Sequence, residues 1–244
     1  MKKLRLIPVD KEKTLIIVPT FNEAGNIAEL HARIRKYSPD SGILFVDDGS
    51  IDGTREIING IIKGDEKVHI LERPRKEGIA RAYICGFLWG LERDYSWFQQ
   101  MDADLSHDPA YLAEIEKLKS ENQVIVASRY LKKAGAGRRN FFRKIVTFLG
   151  CRYLKIILQC PLKDLTGGFN CWQREVILGL DLNKIMSRGF IFQAELKFRA
   201  YKKGFKIVEF PYIFQERQKG SSKIDYRIIF EGLVMPFLMV LRSR

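Results

Sequence analysis

The side chains of this sequence best suited to hold a divalent cation are two closely spaced carboxylates, Asp102 and Asp104. With Ala103 between them, they project to one side of an extended segment, and oxygen ligands placed in this way hold Mg²⁺ or Mn²⁺ against a diphosphate. The alternative is an acidic turn that caps a helix beginning near Pro109. The surrounding residues must decide between a metal site and a cap.

A second acidic cluster, Asp47-Asp48-Gly49-Ser50, favours the metal-site interpretation. Asp48 is the candidate for hydrogen bonds to ribose hydroxyls or to a base edge, which acidic residues make in nucleotide-binding folds. Here too a simple turn is the alternative, and we expect Asp52 to cap the helix that follows Gly53.

Short β-branched runs alternate with amphipathic stretches through the first half of the chain, and each acidic cluster follows one of the runs. The βαβαβα order predicts a parallel sheet, whose ligands bind where the carboxyl ends of the strands meet. A third polar motif, Pro-Thr-Phe-Asn-Glu at 19–23, should lie at the same edge. The predicted elements cover residues 15–18, 27–34, 43–46, 53–62, 68–71 and 79–91, with a further strand at 97–101.

The second half differs in character, because residues 129–163 contain ten basic side chains and no acidic one. Polar residues recur there at helical spacing, opposite apolar ones, and this predicts a basic amphipathic helix. The polar positions are Lys144, Thr147, Cys151, Lys155 and Gln159, and the apolar ones include Ile145, Phe148, Leu149 and Ile156.

The composition indicates a globular protein with a polyanionic partner. Of 244 residues 46% are hydrophobic, which excludes a disordered or fibrous chain. The net charge of +13 indicates nucleic acid, phosphorylated metabolites or an anionic membrane. The longest apolar run, 232–241, is far shorter than the roughly 20 residues that span a bilayer, and residues 1–13 lack the features of a signal peptide. We therefore expect a cytosolic chain with reduced cysteines.

In their order, Pro-Thr-Phe-Asn-Glu, Val-Asp-Asp-Gly-Ser-Ile-Asp-Gly-Thr and Met-Asp-Ala-Asp-Leu-Ser-His resemble the motifs of the inverting glycosyltransferases of family 2, which have the GT-A fold. The similarity is greatest to dolichol-phosphate mannosyltransferases and related polyprenyl-phosphate glycosyltransferases. It extends through Ala-Ser-Arg-Tyr at 127–130, Arg-Lys at 143–144, Asp-Leu-Thr-Gly-Gly-Phe at 164–169, Phe-Gln-Ala-Glu at 192–195 and the segment 217–223.

The resemblance implies an α/β fold: one Rossmann-like GT-A domain over residues 1–244, with a mostly parallel central sheet and C-terminal amphipathic interface helices. Its nucleotide-sugar-binding half is expected at about 14–130 and its acceptor- and membrane-facing half at about 131–244.

Individual residues also receive roles from the resemblance. The nucleoside pocket is implied to consist of Pro19, Phe21, Glu23, Val46 and Asp48, with Phe21 standing where close relatives commonly have Tyr. Asp102, Ala103 and Asp104 are implied to contact the diphosphate. Asp104 is implied to be the principal metal ligand, with Asp102 and Ser106 as further ligands. The implied phosphate-binding cations are Arg129, Arg143, Arg217 and Lys223. Of these residues, Asp104, Arg129, Arg143 and Arg217 are expected to carry catalysis.

The cations are also what the chemistry requires, because an anionic donor and an anionic acceptor repel each other unless a metal and basic side chains offset the charge. A phosphate monoester has its second pKa near ~6, so it is mostly dianionic at neutral pH and needs orientation more than deprotonation. The sequence offers cations without an evident base. This pattern favours a phosphate acceptor over a sugar hydroxyl.

These features predict metal-dependent, inverting transfer of a hexose, first of all mannose from GDP-mannose, to a polyprenyl or dolichyl phosphate. Transfer of glucose or an N-acetylhexosamine from a UDP-sugar is the alternative. A non-catalytic nucleotide-binding or nucleic-acid-binding protein is the rival from another class, but no nucleic-acid-binding motif accompanies the charge, and we expect no nucleic-acid partner.

We expect the enzyme to act as a peripheral protein on the cytoplasmic face of a membrane, docked by residues 141–157 and 228–241. A small membrane-anchoring subunit is a further candidate partner for the apolar C-terminal face. The alternative is that both helices merely cover the sheet.

Two further residues have two interpretations each. His107 follows the metal loop and is either a neighbour of the metal ligands or an exposed loop residue. Glu195 either forms an ion pair with a nearby cation or positions an arginine of the acceptor side.

Overall fold

The first half of the chain folds as the alternating strands and helices that its pattern predicts. The computed structural model describes residues 13–131, 141–215 and 226–242, apart from the side chains of 141–149 and 226–230. The six elements predicted before residue 92 are confirmed, with ends that differ by at most three residues. The observed elements are β1 Thr14–Thr20, α1 Ala24–Tyr37, β2 Gly42–Asp47, α2 Thr54–Ile62, β3 Val68–Glu72, α3 Ile79–Leu91, β4 Trp97–Gln100 and, after a 3-10 turn at Pro109–Tyr111, α4 Leu112–Leu118.

The second half adds strands to the same sheet and helices at its side. In order these are β5 Val124–Ser128, α5 Phe141–Leu158, β6 Asn170–Gln173, α6 Arg174–Gly179, a 3-10 turn at Leu182–Lys184, α7 Ile191–Lys202, β7 Ile207–Pro211 and α8 Tyr226–Arg242.

The described strands form one seven-stranded sheet in the order β3-β2-β1-β4-β6-β5-β7. All neighbouring pairs are parallel except those of β6, which runs antiparallel to both β4 and β5. Because β6 lies between them, β4 and β5 point the same way. The carboxyl ends of β1, β2, β4 and β5 therefore share one edge of a mostly parallel sheet, as predicted.

Apolar side chains cover both faces of the sheet. Along β1, Leu15 and Ile17 pack on one face with α3, and Ile16 and Val18 pack on the other with α1. Alternate residues of a strand point to opposite faces, so a strand that is covered on both sides is apolar throughout. This arrangement leaves the polar residues to the strand ends.

The predicted helices at 141–157 and 228–241 are confirmed as α5 and α8, which pack against each other. Leu154 and Leu158 of α5 are buried in a cluster shared with α7 and α8, and Tyr153 Oη donates a hydrogen bond to the carbonyl oxygen of Leu233 at 2.6 Å. The placing of Ile156 on the apolar face was wrong, because its side chain is 64% exposed. Positions 154 and 158 are one helical turn apart and face the neighbouring helices, so position 156 points away from them.

Within the residues that the structure describes, no helix has both the length and the apolar character needed to cross a bilayer.

Candidate active site

The loops that follow β1 and β2 are joined by Asp47. Its buried carboxylate accepts hydrogen bonds from Thr20 Oγ1 at 3.4 Å and from the backbone N–H groups of Gly49 and Ser50 at 3.2 and 3.0 Å. Arg55 of α2 forms an ion pair with the same group. Asp47 therefore builds the turn, and its hydrogen-bonding capacity is used within the protein.

Asp48, the predicted nucleoside ligand, is oriented by a buried ion pair. Its Oδ1 atom accepts a hydrogen bond from Arg73 Nη1 at 2.6 Å, and its backbone N–H donates to the carbonyl oxygen of Thr20 at 3.0 Å. Burial raises the pKa of Asp48, and the charge of Arg73 offsets part of that effect. Arg73 comes from the loop after β3 and was not singled out from the sequence.

Phe21 extends beyond the end of β1 as an exposed aromatic ring. The ammonium nitrogen of Lys76 lies 4.1 Å from the centroid of this ring, a cation–π distance. An accessible aromatic face is a surface on which a base can stack.

The other residues assigned to the nucleoside pocket stand around the same strand ends. Glu23 receives a hydrogen bond from Asn26 Nδ2 at 2.7 Å, and its backbone N–H donates to Thr54 Oγ1 at 2.9 Å. Pro19 and Val46 are partners in the register of β1 and β2. Val46 has its side chain in the core, so it can offer a ligand its backbone groups.

Neither predicted cap occupies the N-cap position of its helix. The N-cap of α2 is Gly53 and not Asp52, although Asp52 accepts hydrogen bonds from the N–H groups of the first residues of α2 and α1, Thr54 and Ala24, both at 3.1 Å. The turn at Pro109 is capped by Asp108, whose Oδ1 accepts from the N–H of Ala110 at 3.0 Å. The interpretation of Asp102 and Asp104 as the cap of that turn is therefore wrong.

The loop after β4 brings together oxygen ligands for a cation. Asp104 is buried and accepts a hydrogen bond from the N–H of Ser106 at 3.0 Å, whereas Asp102 is partly exposed and Ala103 packs in the core. The buried Oγ of Ser106 makes no hydrogen bond to any residue that the structure describes.

Asp102, Asp104 and Ser106 supply too few oxygens to surround a cation alone, so a substrate would have to complete its coordination. In the described ranges, no three His, Cys, Asp or Glu side chains form a complete cation site. Mg²⁺ typically takes one or two protein carboxylates and fills its other positions with water and substrate phosphates. The two carboxylates and the unbonded hydroxyl of Ser106 match this mode of coordination.

His107 is a buried neighbour of the same loop, and the interpretation as an exposed residue is wrong. Its ring stacks on Phe169 with 4.9 Å between centroids, and Nδ1 accepts a hydrogen bond from the N–H of Asp102 at 3.0 Å. Tyr83 of α3 donates a hydrogen bond from Oη to Asp102 Oδ1 at 3.3 Å. Burial, together with the charge of Asp102, raises the pKa of Tyr83 well above its ordinary value, so the hydroxyl remains a donor.

At the end of β5, Arg129 is held in a fixed orientation by Asp164. Its Nε and Nη2 atoms donate to the two carboxylate oxygens at 2.7 and 2.6 Å, and Nη2 also donates to Thr166 Oγ1 at 2.8 Å. Burial alone would raise the pKa of Asp164, but the charge and hydrogen bonds of Arg129 outweigh it and lower the pKa to about 2. The Nη1 atom of Arg129 donates no hydrogen bond to the described residues, and the side chain is 13% exposed.

Lys197 of α7, which the motifs did not indicate, supports the same loop from inside the protein. Its buried Nζ donates to the carbonyl oxygens of Asp164 and Gly167, both at 2.8 Å. Burial lowers the pKa of Lys197 to about 8, with the charge of Asp164 acting in the opposite direction. Asp164 is thus flanked by two cations, Arg129 and Lys197, while the carboxylate of Glu209 accepts from the N–H of Asp164 at 2.9 Å.

Three of the predicted cations cannot be placed beside Arg129. Arg217 and Lys223 lie outside the described residues, and Arg143 lies on the first turn of α5, whose side chains are also outside that part. Gln215, the last described residue before 216–225, donates its backbone N–H to the carbonyl oxygen of Ser106 at 3.3 Å.

Glu195 forms the ion pair that one of its two interpretations predicts. Its Oε1 accepts from Arg199 Nη2 at 2.7 Å, one helical turn along α7. The carboxylate also accepts from the N–H groups of Met186 and Ser187 and so fixes the segment before α7.

Two known proteins are similar in sequence to most of this chain. An undecaprenyl-phosphate mannosyltransferase from Micrococcus luteus is 36% identical over 222 residues, covering 91% of this chain and 91% of that protein. A polyprenol monophosphomannose synthase from Mycolicibacterium smegmatis is 35% identical over 224 residues, covering 91% of this chain and 84% of that protein.

The fold agrees with these similarities. The solved structure of a mannosyltransferase from Pyrobaculum calidifontis in complex with GDP-Man and Mn²⁺ matches with a TM-score of 0.64 at 18% identity, covering 95% of this chain and 64% of that one. The fold is therefore GT-A, as predicted. Residues 15–179 match the family model for glycosyl transferase family 2. With two thirds of its length in that match and relatives above 30% identity along most of the rest, the chain belongs to glycosyl transferase family 2, and it is a glycosyltransferase.

Proposed function

We propose that the enzyme transfers mannose, with inversion, from GDP-mannose to a polyprenyl phosphate. The observation that carries the proposal is the shared sheet edge: an acidic loop follows β4, and a clamped arginine follows β5, which points the same way. The two mannosyltransferases at 35 and 36% identity support the choice of sugar and lipid acceptor. The GDP-Man bound to the Pyrobaculum enzyme supports the choice of nucleotide.

The donor is assigned to the ends of β1, β2 and β4. Phe21 offers its exposed ring to the base, and Asp48, held by Arg73, offers a carboxylate oxygen to the donor N–H or O–H groups of the nucleoside. Pro19, Glu23 and Val46 complete this pocket.

A divalent cation, Mg²⁺ or Mn²⁺, is assigned to Asp104 and Asp102, with Ser106 as the third oxygen. When bound, it stabilises the negative charge that develops on the departing diphosphate. His107 and Tyr83 hold the backbone and the carboxylate of Asp102 for this task.

The acceptor phosphate is assigned to Arg129, with Arg143, Arg217 and Lys223 as further cations. Asp164 occupies Nε and Nη2 of Arg129, which leaves the two N–H donors of Nη1 for a phosphate oxygen. A dianionic phosphate is already a nucleophile, so orientation by a fixed guanidinium replaces the general base that a hydroxyl acceptor needs.

The acceptor's lipid tail places the enzyme at a membrane. A polyprenyl chain leaves the bilayer at a cost of ~0.8 kcal/mol per methylene, so the enzyme must bring its site to the headgroup layer. On α8, Leu233, Phe237 and Leu241 are each more than half exposed and recur at four-residue spacing, and we assign this apolar stripe to the cytoplasmic surface of the membrane or to a small membrane-anchoring subunit.

A transfer assay with GDP-mannose, Mn²⁺ and a short-chain polyprenyl phosphate tests the proposal. Asp104→Asn should abolish transfer because the cation loses its principal ligand. Asp40→Asn is the matched control. Asp40 is an exposed carboxylate that forms an ion pair with Lys67, and it lies far from the acidic loop in the sequence. Transfer from UDP-glucose in preference to GDP-mannose would refute the assigned donor, and wild-type rates from Asp104→Asn would refute the metal site.

A further inference from the structure

Three buried amide side chains form a connected network beside the loop that holds Arg129. Asn170 Nδ2 lies 3.1 Å from Gln100 Oε1, 3.1 Å from Gln193 Oε1 and 3.0 Å from the carbonyl oxygen of Gly167. Trp172 Nε1 donates to the same oxygen of Gln100 at 2.9 Å. All three amides are at least nine-tenths buried, with Gln193 4% exposed.

The orientation of each amide follows from the indole of Trp172. An indole N–H can only donate, so the atom of Gln100 that faces it must be the oxygen. The same oxygen of Gln100 accepts a hydrogen bond from Asn170, so the Asn170 atom that faces it must be the nitrogen. Because this nitrogen is a donor, the Gln193 atom that faces it must be the oxygen. The nitrogen of Gln193 consequently points away from the network.

The N–H groups of the Gln193 amide are not used in the network, and they lie beside Gly168. The amide nitrogen makes no hydrogen bond to any residue within the described ranges, and it differs from Gln100 Nε2 and Asn170 Oδ1, the unpaired atoms of this network that are fully buried. A Cβ atom added to Gly168 would lie 3.6 Å from this nitrogen and 3.5 Å from Cε1 of His107. Gln193 Nε2 and His107 Cε1 are therefore both neighbours of Gly168, which places no side chain in the space between them.

This space is where a transferred sugar has to lie. His107 accepts from Asp102 in the acidic loop, and Gly168 follows the turn in which Asp164 clamps Arg129. During an inverting displacement, the sugar carbon lies between the departing diphosphate and the attacking phosphate, hence between these two loops.

We propose that Gln193 is a sugar-binding, specificity-determining residue whose amide nitrogen donates a hydrogen bond to a hydroxyl of the transferred sugar. This inference rests on the proposed function. The network with Asn170 and Gln100 fixes the direction of the donor, so that a sugar with a differently placed hydroxyl leaves a buried N–H unpaired. A neutral amide also suits this place, because a carboxylate there would repel the acceptor phosphate.

The test compares GDP-mannose with GDP-glucose, which differs in the configuration at C2, in steady-state assays with Mn²⁺ and short-chain polyprenyl phosphate. Gln193→Met should reduce the ratio of the two kcat/KM values roughly tenfold, while the KM for the acceptor stays close to that of the wild type. Gln123→Met is the matched control, because Gln123 Oε1 accepts from the N–H of Lys206 at the entrance of β5. Thermal unfolding verifies that each variant is folded.

A second variant keeps the test decisive if the methionine variant does not fold. Gln193→Glu retains an oxygen for Asn170 and places a negative charge where the donor nitrogen was, so it should lower kcat and raise the KM for the acceptor phosphate. Unchanged sugar selectivity in Gln193→Met, or wild-type kinetics in Gln193→Glu, would overturn the assignment of Gln193. Failure of the wild type to use GDP-mannose would count against the proposed donor instead, and the same comparison would then be made with the donor it does use and that donor's C2 epimer.

Discussion

Asp164 carries a buried negative charge whose contribution to stability depends on pH. Its pKa is lowered to about 2 in the folded protein, against an ordinary value near ~3.9 in the unfolded chain. Between these two values the unfolded state binds a proton that the folded state does not. The stabilisation is therefore complete above about pH 5 and is lost progressively as the pH falls through 4 to below 2, with a magnitude of about 2–3 kcal/mol.

Urea unfolding of the wild type and of Asp164→Asn from pH 7 to pH 2 measures this contribution. The variant should have the lower free energy of unfolding at pH 7, because Arg129 then lacks its charged partner, and the difference should shrink below pH 4. Parallel curves for the two proteins over the whole range would show that the ion pair does not respond to protonation of Asp164.

At this scale the sequence indicated candidate ligands but not the side chains that hold them. Asp48 and Arg129 stand directly after strands and Asp104 lies in the loop that follows one, which is a local feature. Their partners Arg73 and Asp164 lie 25 and 35 residues away from Asp48 and Arg129 and meet them only through the sheet order. Lys197 had no distinct local signal, because Gln193 one helical turn earlier is polar as well, and its contacts with two carbonyl groups depend on the tertiary fold.

Helices and strands could be predicted where the apolar pattern extended over enough residues to show its period. In the first half, β-branched runs and amphipathic stretches gave each element within three residues, because both sheet faces are covered and the strands are apolar throughout. The four-residue strand β6 and its antiparallel direction carry too short a pattern for such a prediction. On α5 the helix was predicted, but the side that Ile156 faces depends on where α7 and α8 pack.

Close packing of α3 on the sheet depends on small residues at its inner face. A Cβ atom at Gly90 would lie 2.5 Å from Cε1 of Phe98 and 2.8 Å from Cδ2 of Leu15, both in the core. Gly90→Ala should therefore lower the free energy of unfolding by about 1–2 kcal/mol, because the strain of overpacking exceeds the gain in helix propensity.

Gly60→Ala on α2 is the control for that prediction, because nothing lies within 4 Å of a Cβ atom at this position. It should raise the free energy of unfolding by about 0.5–1 kcal/mol. Equal effects of the two substitutions in urea unfolding would mean that the position of α3 is not set by contact at Gly90.

At the scale of the whole molecule, charge and apolar surface are distributed to suit an anionic interface. The net charge of +13 attracts an anionic surface from a distance, and α5 presents the exposed cations Arg152 and Lys155. The helix packed along it, α8, presents the apolar stripe of Leu233, Phe237 and Leu241. Cations near an anionic bilayer contribute about 1 kcal/mol each, and apolar side chains add to this when they enter the interface.

Flotation with phosphatidylglycerol-containing vesicles at low salt tests this docking surface. The wild type should float, and a variant with Leu233, Phe237 and Leu241 all changed to Ser should stay in the soluble fraction, because the cations alone bind weakly once the apolar contribution is lost. A variant with Leu88 and Leu178 changed to Ser, two exposed leucines of α3 and α6, should float like the wild type. Flotation of the stripe variant at the wild-type level would exclude the stripe as the anchor. A wild type that remains in the soluble fraction would refute the assignment of this face to the lipid surface.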